Sequence, residues 1–153
     1  MNSVDGVRLT HVGAIGDLRF PNLDRRFVHH GPVEQSELRN FYAAADLFVL
    51  ASRQDGFGMV LPQALASGLP VICTDHTGGS DLAEMPGVAS RLTIVPAGDV
   101  GVLAKALRFW RDRLRGGEAF PPLGETERQR LSWAAYARRY HAELLRSNAG
   151  AAR

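Results

Sequence analysis

Cysteine is almost absent from this 153-residue chain, which contains Cys73 alone. A single cysteine excludes an internal disulfide, so a disulfide-held fold is excluded and a reducing cytoplasm is the expected location. The chain also lacks an apolar run of about 18 residues, the length that a membrane-spanning helix needs. Its first residues have neither a basic region nor an apolar segment, so we expect no signal peptide. A composition of 45% apolar and 22% charged residues then predicts one globular domain.

Lysine is equally scarce, because 17 of the 18 basic residues are arginine and Lys105 is the exception. The charges are unevenly distributed: residues 105–153 carry 11 basic and 5 acidic side chains, whereas residues 1–104 carry 7 and 11. A basic segment can bind nucleic acid, anionic lipid or an acidic partner. Since the arginines are spaced among apolar residues, we favour solvated, salt-bridged helices and expect no nucleic-acid partner.

Short apolar segments alternate with helical patterns along the chain. The alternation predicts an α/β fold with a Rossmann-like, doubly wound parallel sheet, in which ligands bind at the carboxyl ends of the strands. The predicted strands cover residues 8–12, 26–30, 47–51, 70–74 and 92–95. The predicted helices cover residues 34–45 and 58–67, a segment capped by Asp99, and residues 125–147.

The loop after the third predicted strand has the features of an anion site. Gly56 and Gly58 flank Phe57 where the strand turns into a helix, and glycine allows a ligand to approach the backbone closely. Free amides at a helix start attract phosphate or diphosphate. Asp55 would be repelled by such an anion, so it is better suited to accept hydrogen bonds from hydroxyl groups. Gln63 lies one to two turns further on. A tight turn without a ligand explains the same pattern equally well.

The segment ADLFVLASRQDGFGMVLPQALASGLPVICTDHTGG resembles the donor-binding core of retaining glycosyltransferases of the GT-B fold, family 4 (group 1). The family usually has Glu-Gly-Phe-Gly after a strand that ends in Ser, a second Glu eight residues after the first, and then Ala-x-Ala-x-Gly-x-Pro-Val-Ile. The resemblance extends upstream through FVHHGPVEQSELRNFYAAAD and downstream to LSWAAYARRYHAELL. It implies a partial Rossmann-like nucleotide-sugar-binding domain in residues 1–124, its carboxy-terminal helix in residues 125–147 and a frayed tail in residues 148–153.

The resemblance also implies a role for individual residues. Asp55 stands at the first glutamate and would be the catalytic residue that orients the donor sugar, and Gln63 stands at the second, which takes the ribose hydroxyls. Asp shortens the reach by one methylene, and Gln replaces a charged acceptor with a neutral group that has one acceptor and one donor end. The other implied donor-binding residues are Gly56, Phe57, Gly58, Met59 and Val60 around the diphosphate, and Gly31 and Val33 at the nucleobase. Ser52, His76, Gly78 and Gly79 are further candidates, because they lie in loops that follow predicted strands and face the same crevice.

For Gly78 and Gly79, an ordinary helix cap by Ser80 is an equal alternative to a role in ligand binding. The adjacent His29 and His30 point to opposite faces of a strand and cannot share a metal ion. Because the other histidines show no ligand spacing either, we expect no metal site. Cys73 is predicted to be a buried, inert thiol. The aromatic residues Trp110, Trp133, Tyr136 and Tyr140 are predicted to pack in the core or between domains.

Complete enzymes of the family that this chain resembles have two Rossmann-like domains. The resemblance therefore implies a nucleotide sugar as substrate, no cofactor and no metal, and a missing amino-terminal acceptor domain or a neighbouring chain as partner. It also implies peripheral membrane contact through the full enzyme. The first strand of the donor domain, with its diphosphate-binding Arg and Lys, is not recognisable. We therefore expect a sheet with a gap, a repacked sheet, or pairing with another chain, and no activity of the isolated chain. The alternative is a non-catalytic truncated or split-gene product that binds nucleotide or a partner chain.

Overall fold

The computed structural model describes residues 4–16 and 26–151, and it has the predicted α/β class. All five predicted strands are present, each within one residue of its predicted bounds. The strands are β1 (Leu9–Val12), β2 (Phe27–His30), β3 (Phe48–Leu50), β4 (Val71–Thr74) and β5 (Leu92–Val95). The α-helices are α1 (Leu38–Ala43), α2 (Val60–Ala66), α3 (Gly79–Ala83), α4 (Val100–Arg115), α5 (Glu125–Arg130) and α6 (Trp133–Ala151), and a 3-10 turn covers Ala89–Arg91.

The strands form two separate parallel sheets, one of β1 and β2 and one of β3, β4 and β5 in that order. In parallel pairing, only alternate residues of a strand turn their backbone groups toward a given neighbour. The Leu9 amide donates to Arg26 O, so Leu9 faces β2 and the backbone groups of Thr10 face the opposite edge of β1. The Phe48 amide donates to Pro70 O, so Phe48 faces β4 and the backbone groups of Val49 face the opposite edge of β3. The described strands therefore do not form one continuous sheet, and the expected gap, repacking or pairing with another chain stays a prediction.

The three-stranded sheet is covered on both faces, as a doubly wound fold requires. Successive side chains of β4 point to opposite faces. Val71 and Cys73 pack in one cluster with Leu61 and Leu65 of α2, while Ile72 packs in a second cluster with Trp110 of α4. All four residues of β4 are buried, which explains the apolar run that predicted the strand.

The two-stranded sheet has no comparable cover. Neither β1 nor β2 contains a buried residue, and Leu9 is 52% exposed. Polar contacts lie just ahead of β1, where Arg111 donates to Asp5 O at 3.1 Å and Arg115 donates to Gly6 O at 3.3 Å. An isolated pair of strands is marginally stable in water. The hydrophobic core is therefore concentrated around β3 to β5.

The end of the chain differs from the single helix predicted for residues 125–147. The structure has two helices, because Ser132 accepts a hydrogen bond from the Ala135 amide at 3.2 Å and so caps the start of α6. Helix α6 continues to Ala151, through residues for which the sequence predicts fraying. Tyr136 and Tyr140 are exposed and stack on each other, so packing in the core is wrong for these two residues, and packing between domains stays a prediction. Trp110 is buried in the core as predicted. Among the described residues, none of the helices combines the length and the hydropathy needed to cross a bilayer.

Candidate functional site

The loop that joins β3 to α2 depends on Gly58. Its φ is +67°, a left-handed conformation that side-chain-bearing residues rarely adopt. A Cβ atom at this position would lie 3.0 Å from Leu50 Cδ2 and 3.2 Å from Leu61 Cδ1. Both the backbone conformation and the close packing therefore require glycine where the strand turns into the helix. Gly56, by contrast, has no atom within 4 Å of the corresponding position.

Asp55 is tied to the same turn through one carboxylate oxygen. Its Oδ1 accepts a hydrogen bond from the Gly58 amide at 3.1 Å. The Gly58 amide is therefore already used within the chain, which differs from its expected role in holding a diphosphate. Among the described residues, no hydrogen-bond acceptor is recorded for the amides of Phe57, Met59 and Val60. The amide donors at this strand-to-helix turn are thus Phe57, Met59 and Val60.

A second loop, after β4, is hydrogen-bonded to the first. The Asp55 amide donates to His76 O at 3.1 Å, and the Gly78 amide donates to Phe57 O at 3.2 Å. Two side chains add further links: Thr74 Oγ1 donates to Ser52 O at 2.6 Å, and His76 Nδ1 lies 2.8 Å from Arg53 O. The structure therefore brings Ser52, Asp55 and Phe57 together with His76 and Gly78, as the sequence predicts for loops at the carboxyl ends of neighbouring strands.

Gly78 and Gly79 serve close packing. A Cβ atom on Gly78 would lie 2.5 Å from Phe57 O, and one on Gly79 would lie 2.4 Å from Cys73 Sγ. Both amides donate within the chain, that of Gly78 to Phe57 O and that of Gly79 to the hydroxyl of Thr77. They are therefore not offered to a ligand. The alternative prediction of a cap by Ser80 is also wrong, because Gly78 is the N-cap residue and Ser80 lies inside α3.

Gln63 is held by a residue that the sequence did not single out. The hydroxyl of Tyr42 in α1 donates to Gln63 Oε1 at 3.1 Å. Tyr42 is buried, and this burial raises the pKa of its hydroxyl, so the group remains a neutral donor. Leu38, Phe41 and Tyr42 share a helical face in the sequence, which predicted packing for Tyr42 but did not indicate its partner 21 residues away.

Gly31 and Val33 lie in the segment between β2 and α1. His30, the last residue of β2, packs edge-on against Phe41 of α1 with ring centroids 5.0 Å apart. Gly31 is exposed, and a Cβ atom there would have no neighbour within 4 Å. Among the described residues, no recorded hydrogen bond joins Gly31 or Val33 to the loop after β3. Their expected place beside a nucleobase stays a prediction.

Histidines that are distant in the sequence meet across the two-stranded sheet. The register pairs His11 with His29, their Nδ1 atoms are 3.0 Å apart, and their rings stack. Sequence spacing could not show this contact because it depends on how the strands pair. Within residues 4–16 and 26–151, no three potential metal ligands form a group.

The arginine-rich end is largely engaged within the chain. Arg113 forms an ion pair with Glu118 and lies over the ring of Trp110 at 4.6 Å. Arg128 pairs with Glu125 at 2.9 Å. These contacts match the interpretation of salt-bridged helices.

Comparison with known proteins finds a matching family model and several similar curated proteins. A family model described as "Glycosyl transferases group 1" matches residues 2–111. The chain is 34% identical over 111 residues to a D-inositol 3-phosphate glycosyltransferase of Frankia alni, covering 70% of this chain and 26% of that protein. It is 33% identical over 82 residues to a lipopolysaccharide core biosynthesis mannosyltransferase of Rhizobium meliloti, covering 54% and 23%.

A shorter match joins the chain to a mannosylfructose-phosphate synthase of Agrobacterium fabrum. The identity is 45% over 56 residues, which cover 37% of this chain and 12% of that enzyme. The matched part of the chain thus spans between 12% and 26% of the length of these three relatives. No solved structure matches significantly.

Proposed function

Because the chain belongs to the group 1 glycosyltransferases, whose family model matches residues 2–111, we propose that it forms the donor-binding portion of a retaining glycosyltransferase. The donor is a nucleotide-diphosphate sugar whose hexosyl group passes to an acceptor. The observation that supports the proposal is the turn at Gly58, where the Asp55 carboxylate accepts from the Gly58 amide and the amides of Phe57, Met59 and Val60 have no recorded acceptor among the described residues. No residue in this arrangement requires a metal ion or a cofactor.

The diphosphate of the donor would bind at the start of α2. The amides of Phe57, Met59 and Val60 are the available donors, and the helix start adds partial positive charge. The Gly58 amide has a different task, because it donates to Asp55 and so holds the turn in shape.

Asp55 would meet the hydroxyls of the donor sugar. One carboxylate oxygen is used on the Gly58 amide, and the other is available to accept a hydrogen bond from a hydroxyl. Its own amide is anchored on His76 O, so the carboxylate is held by both loops. Ser52, His76 and Gly78 then act as the structural frame of the site, and Asp55 is the residue that orients the sugar.

The nucleoside would extend from the diphosphate toward α1. Gln63 is one turn into α2 and would bind the ribose, and the segment with Gly31 and Val33 would lie beside the nucleobase. The hydrogen bond from Tyr42 supports this assignment, because it joins the helix that follows Gly31 and Val33 to the helix that carries Gln63.

The rest of the enzyme would fill the gap between the two sheets. A doubly wound sheet of order 3-2-1-4-5-6 has its first strand between strands 2 and 4. With β1 and β2 as strands 2 and 3, and β3 to β5 as strands 4 to 6, the vacant place lies between β1 and β3. We propose that a missing amino-terminal portion or a neighbouring chain supplies this strand and the acceptor domain.

The isolated chain would then bind a donor without transferring its sugar. The leaving diphosphate needs positive charge, and removing such stabilisation costs several kcal/mol of the barrier in typical enzymes. Arg53 is the only cation between residues 51 and 65, and its side chain is exposed.

Saturation-transfer NMR with UDP, GDP and ADP tests the donor site. At least one nucleotide should bind the unmodified chain at millimolar concentration or below, and Gly58→Leu should abolish the signal. Gly87→Leu is the matched control, because Gly87 also has a positive φ but lies between α3 and the 3-10 turn. If no nucleotide binds, or if the two variants behave alike, the site assignment is wrong.

A second candidate function is a non-catalytic module that binds a partner chain. The specific observation in its favour is the exposed two-stranded sheet, which pairs with no strand of the three-stranded sheet. Sedimentation velocity separates the two candidates when it is combined with the nucleotide titration. A stable complex with a co-expressed neighbouring chain and no nucleotide binding by either form would support the module.

A further inference from the structure

The contact between Tyr42 and Gln63 determines which end of the Gln63 carboxamide faces the proposed ribose site. The Tyr42 hydroxyl and Gln63 Oε1 are 3.1 Å apart. The Tyr42 side chain is 7% exposed, and its ring packs edge-on against Phe48 with centroids 5.8 Å apart. The position of the hydroxyl is therefore fixed by the core and not by Gln63.

The direction of this hydrogen bond follows from the needs of a buried phenol. If the carboxamide turned over, its NH2 group would donate to the phenol, and the phenol proton would lose its acceptor. Among the described residues, no other partner is recorded for the Tyr42 hydroxyl. A buried donor without an acceptor costs about 1 to 3 kcal/mol. The arrangement with Oε1 facing Tyr42 is accordingly the stable one.

The end of the Gln63 carboxamide that faces away from Tyr42 is therefore the Nε2 amide. It has two N–H donors and no acceptor, and no hydrogen-bond partner is recorded for it in the described part of the chain. A carboxylate at the same position would differ, because one oxygen could accept from Tyr42 while the other accepted from the ligand. Replacing Glu by Gln at position 63 therefore removes the negative charge and also turns the group that faces the ligand from a hydrogen-bond acceptor into a donor.

We propose that Tyr42 is a positioning residue that fixes Gln63 as a hydrogen-bond donor toward the ligand. The inference rests on the proposed nucleotide-sugar site and adds which nucleotides that site accepts. The Nε2 group of Gln63 donates to the oxygen lone pairs of a ribose hydroxyl and does not use the hydroxyl proton. The site therefore accepts nucleotides in which another group replaces that proton. A glutamate at position 63 would require that proton.

Methylated nucleotides test this polarity. The 2′-O-methyl and 3′-O-methyl forms of whichever of UDP, GDP or ADP binds keep the oxygen acceptor and lack the hydroxyl proton. Methylation at the position facing residue 63 should weaken binding to the unmodified chain by less than about twofold and to Gln63→Glu by about fivefold or more. The ratio of methylated to unmethylated affinity is measured within each protein, so a general loss of folded protein does not change it.

Tyr42→Phe tests the positioning role separately. Without the phenol oxygen the carboxamide turns freely, and affinity for the unmodified nucleotide should fall about threefold. Tyr140→Phe removes an exposed hydroxyl on α6 and should leave the affinity unchanged. Equal affinities for these two variants would overturn the role of Tyr42.

The outcomes distinguish this inference from the proposed function. If none of the three nucleotides binds the unmodified chain, both fail. If a nucleotide binds and Gly58→Leu abolishes its binding, the donor site stands. Equal methylation losses in the unmodified chain and in Gln63→Glu would then overturn the polarity alone.

Discussion

The two sheets of this protein consist of strands of similar length but differ in how they are stabilised. In the sheet of β3, β4 and β5, helices cover both faces, and β4 is buried along its whole length. In the sheet of β1 and β2, every residue is exposed or half-buried. Parallel strands are normally covered on both faces. The sheet of β3, β4 and β5 is therefore a packed core, whereas the sheet of β1 and β2 is a surface that the described helices do not bury.

The largest expected effect is the loss of stability when a buried side chain of β4 is shortened, compared with an exposed side chain of β2. Ile72→Ala in β4 should lower the free energy of unfolding by about 4 kcal/mol, because Ile72 is completely buried and its removal leaves a cavity. Val28→Ala in β2 should cost less than about 1 kcal/mol, because Val28 is more than a third exposed. Urea unfolding of both variants measures the contrast, and similar losses would contradict it.

A proline scan of β3 sharpens the comparison at the gap. The β3–β4 register turns the Leu50 amide toward β4 and the Val49 amide toward the open edge. Leu50→Pro should therefore lower the free energy of unfolding by about 3 kcal/mol, and Val49→Pro should cost clearly less. The measurement is thermal unfolding followed by circular dichroism. If Val49→Pro is as damaging as Leu50→Pro, the edge at β3 is not open.

Alkaline pH should destabilise the core around β4 through Tyr42 and Cys73. Burial raises the pKa of Tyr42 and of Cys73, so both groups hold their protons more tightly in the folded chain than in the unfolded one. Their contribution to stability is complete below the unfolded pKa values of about 8.5 for cysteine and about 10 for tyrosine. It is lost as pH rises through the folded values.

Urea unfolding between pH 7 and pH 11 measures this loss. Tyr42→Phe and Cys73→Ala should each reduce the decline in the free energy of unfolding at high pH. Tyr140→Phe is the control and should leave the decline as it is. A decline that neither substitution changes would show that other groups cause the alkaline loss.

The smallest expected effect concerns the outer face of β1. Leu9→Thr should change the free energy of unfolding by less than about 0.5 kcal/mol, because Leu9 is half exposed. Val71→Thr in β4 is the buried counterpart and should cost several times more, since it places a hydroxyl in the core. Equal costs would show that β1 is packed as tightly as β4.

Sequence patterns predicted those features of the molecule that depend on neighbouring residues. Short strand patterns bounded by loop residues predicted all five strands, and Asp99 caps α4 through the Val102 amide as expected. The turn at Gly58 followed from its position between a strand and a helix. These features follow from local chemistry, which a pattern records directly.

Contacts across the fold could not be predicted in the same way. The bond between Tyr42 and Gln63 depends on how α1 packs against α2, and the contact of His11 with His29 depends on strand register. The use of the Gly58 amide by Asp55 also depends on the shape of the turn. The helix break at Ser132 is different, because a serine ahead of an apolar run is a recognisable cap signal that the periodicity obscured.

The thiol of Cys73 can be used to measure opening of the core around β4. It is the only thiol of the chain, it is fully buried in β4, and its sulfur fits against Gly79 with no room for a further atom. A thiol reagent can therefore reach it only when the core around β4 opens. The labelling rate of the unmodified protein then measures how often that opening occurs, without a probe or a substitution. Binding of a nucleotide at the loops that follow β3 and β4 should slow this labelling.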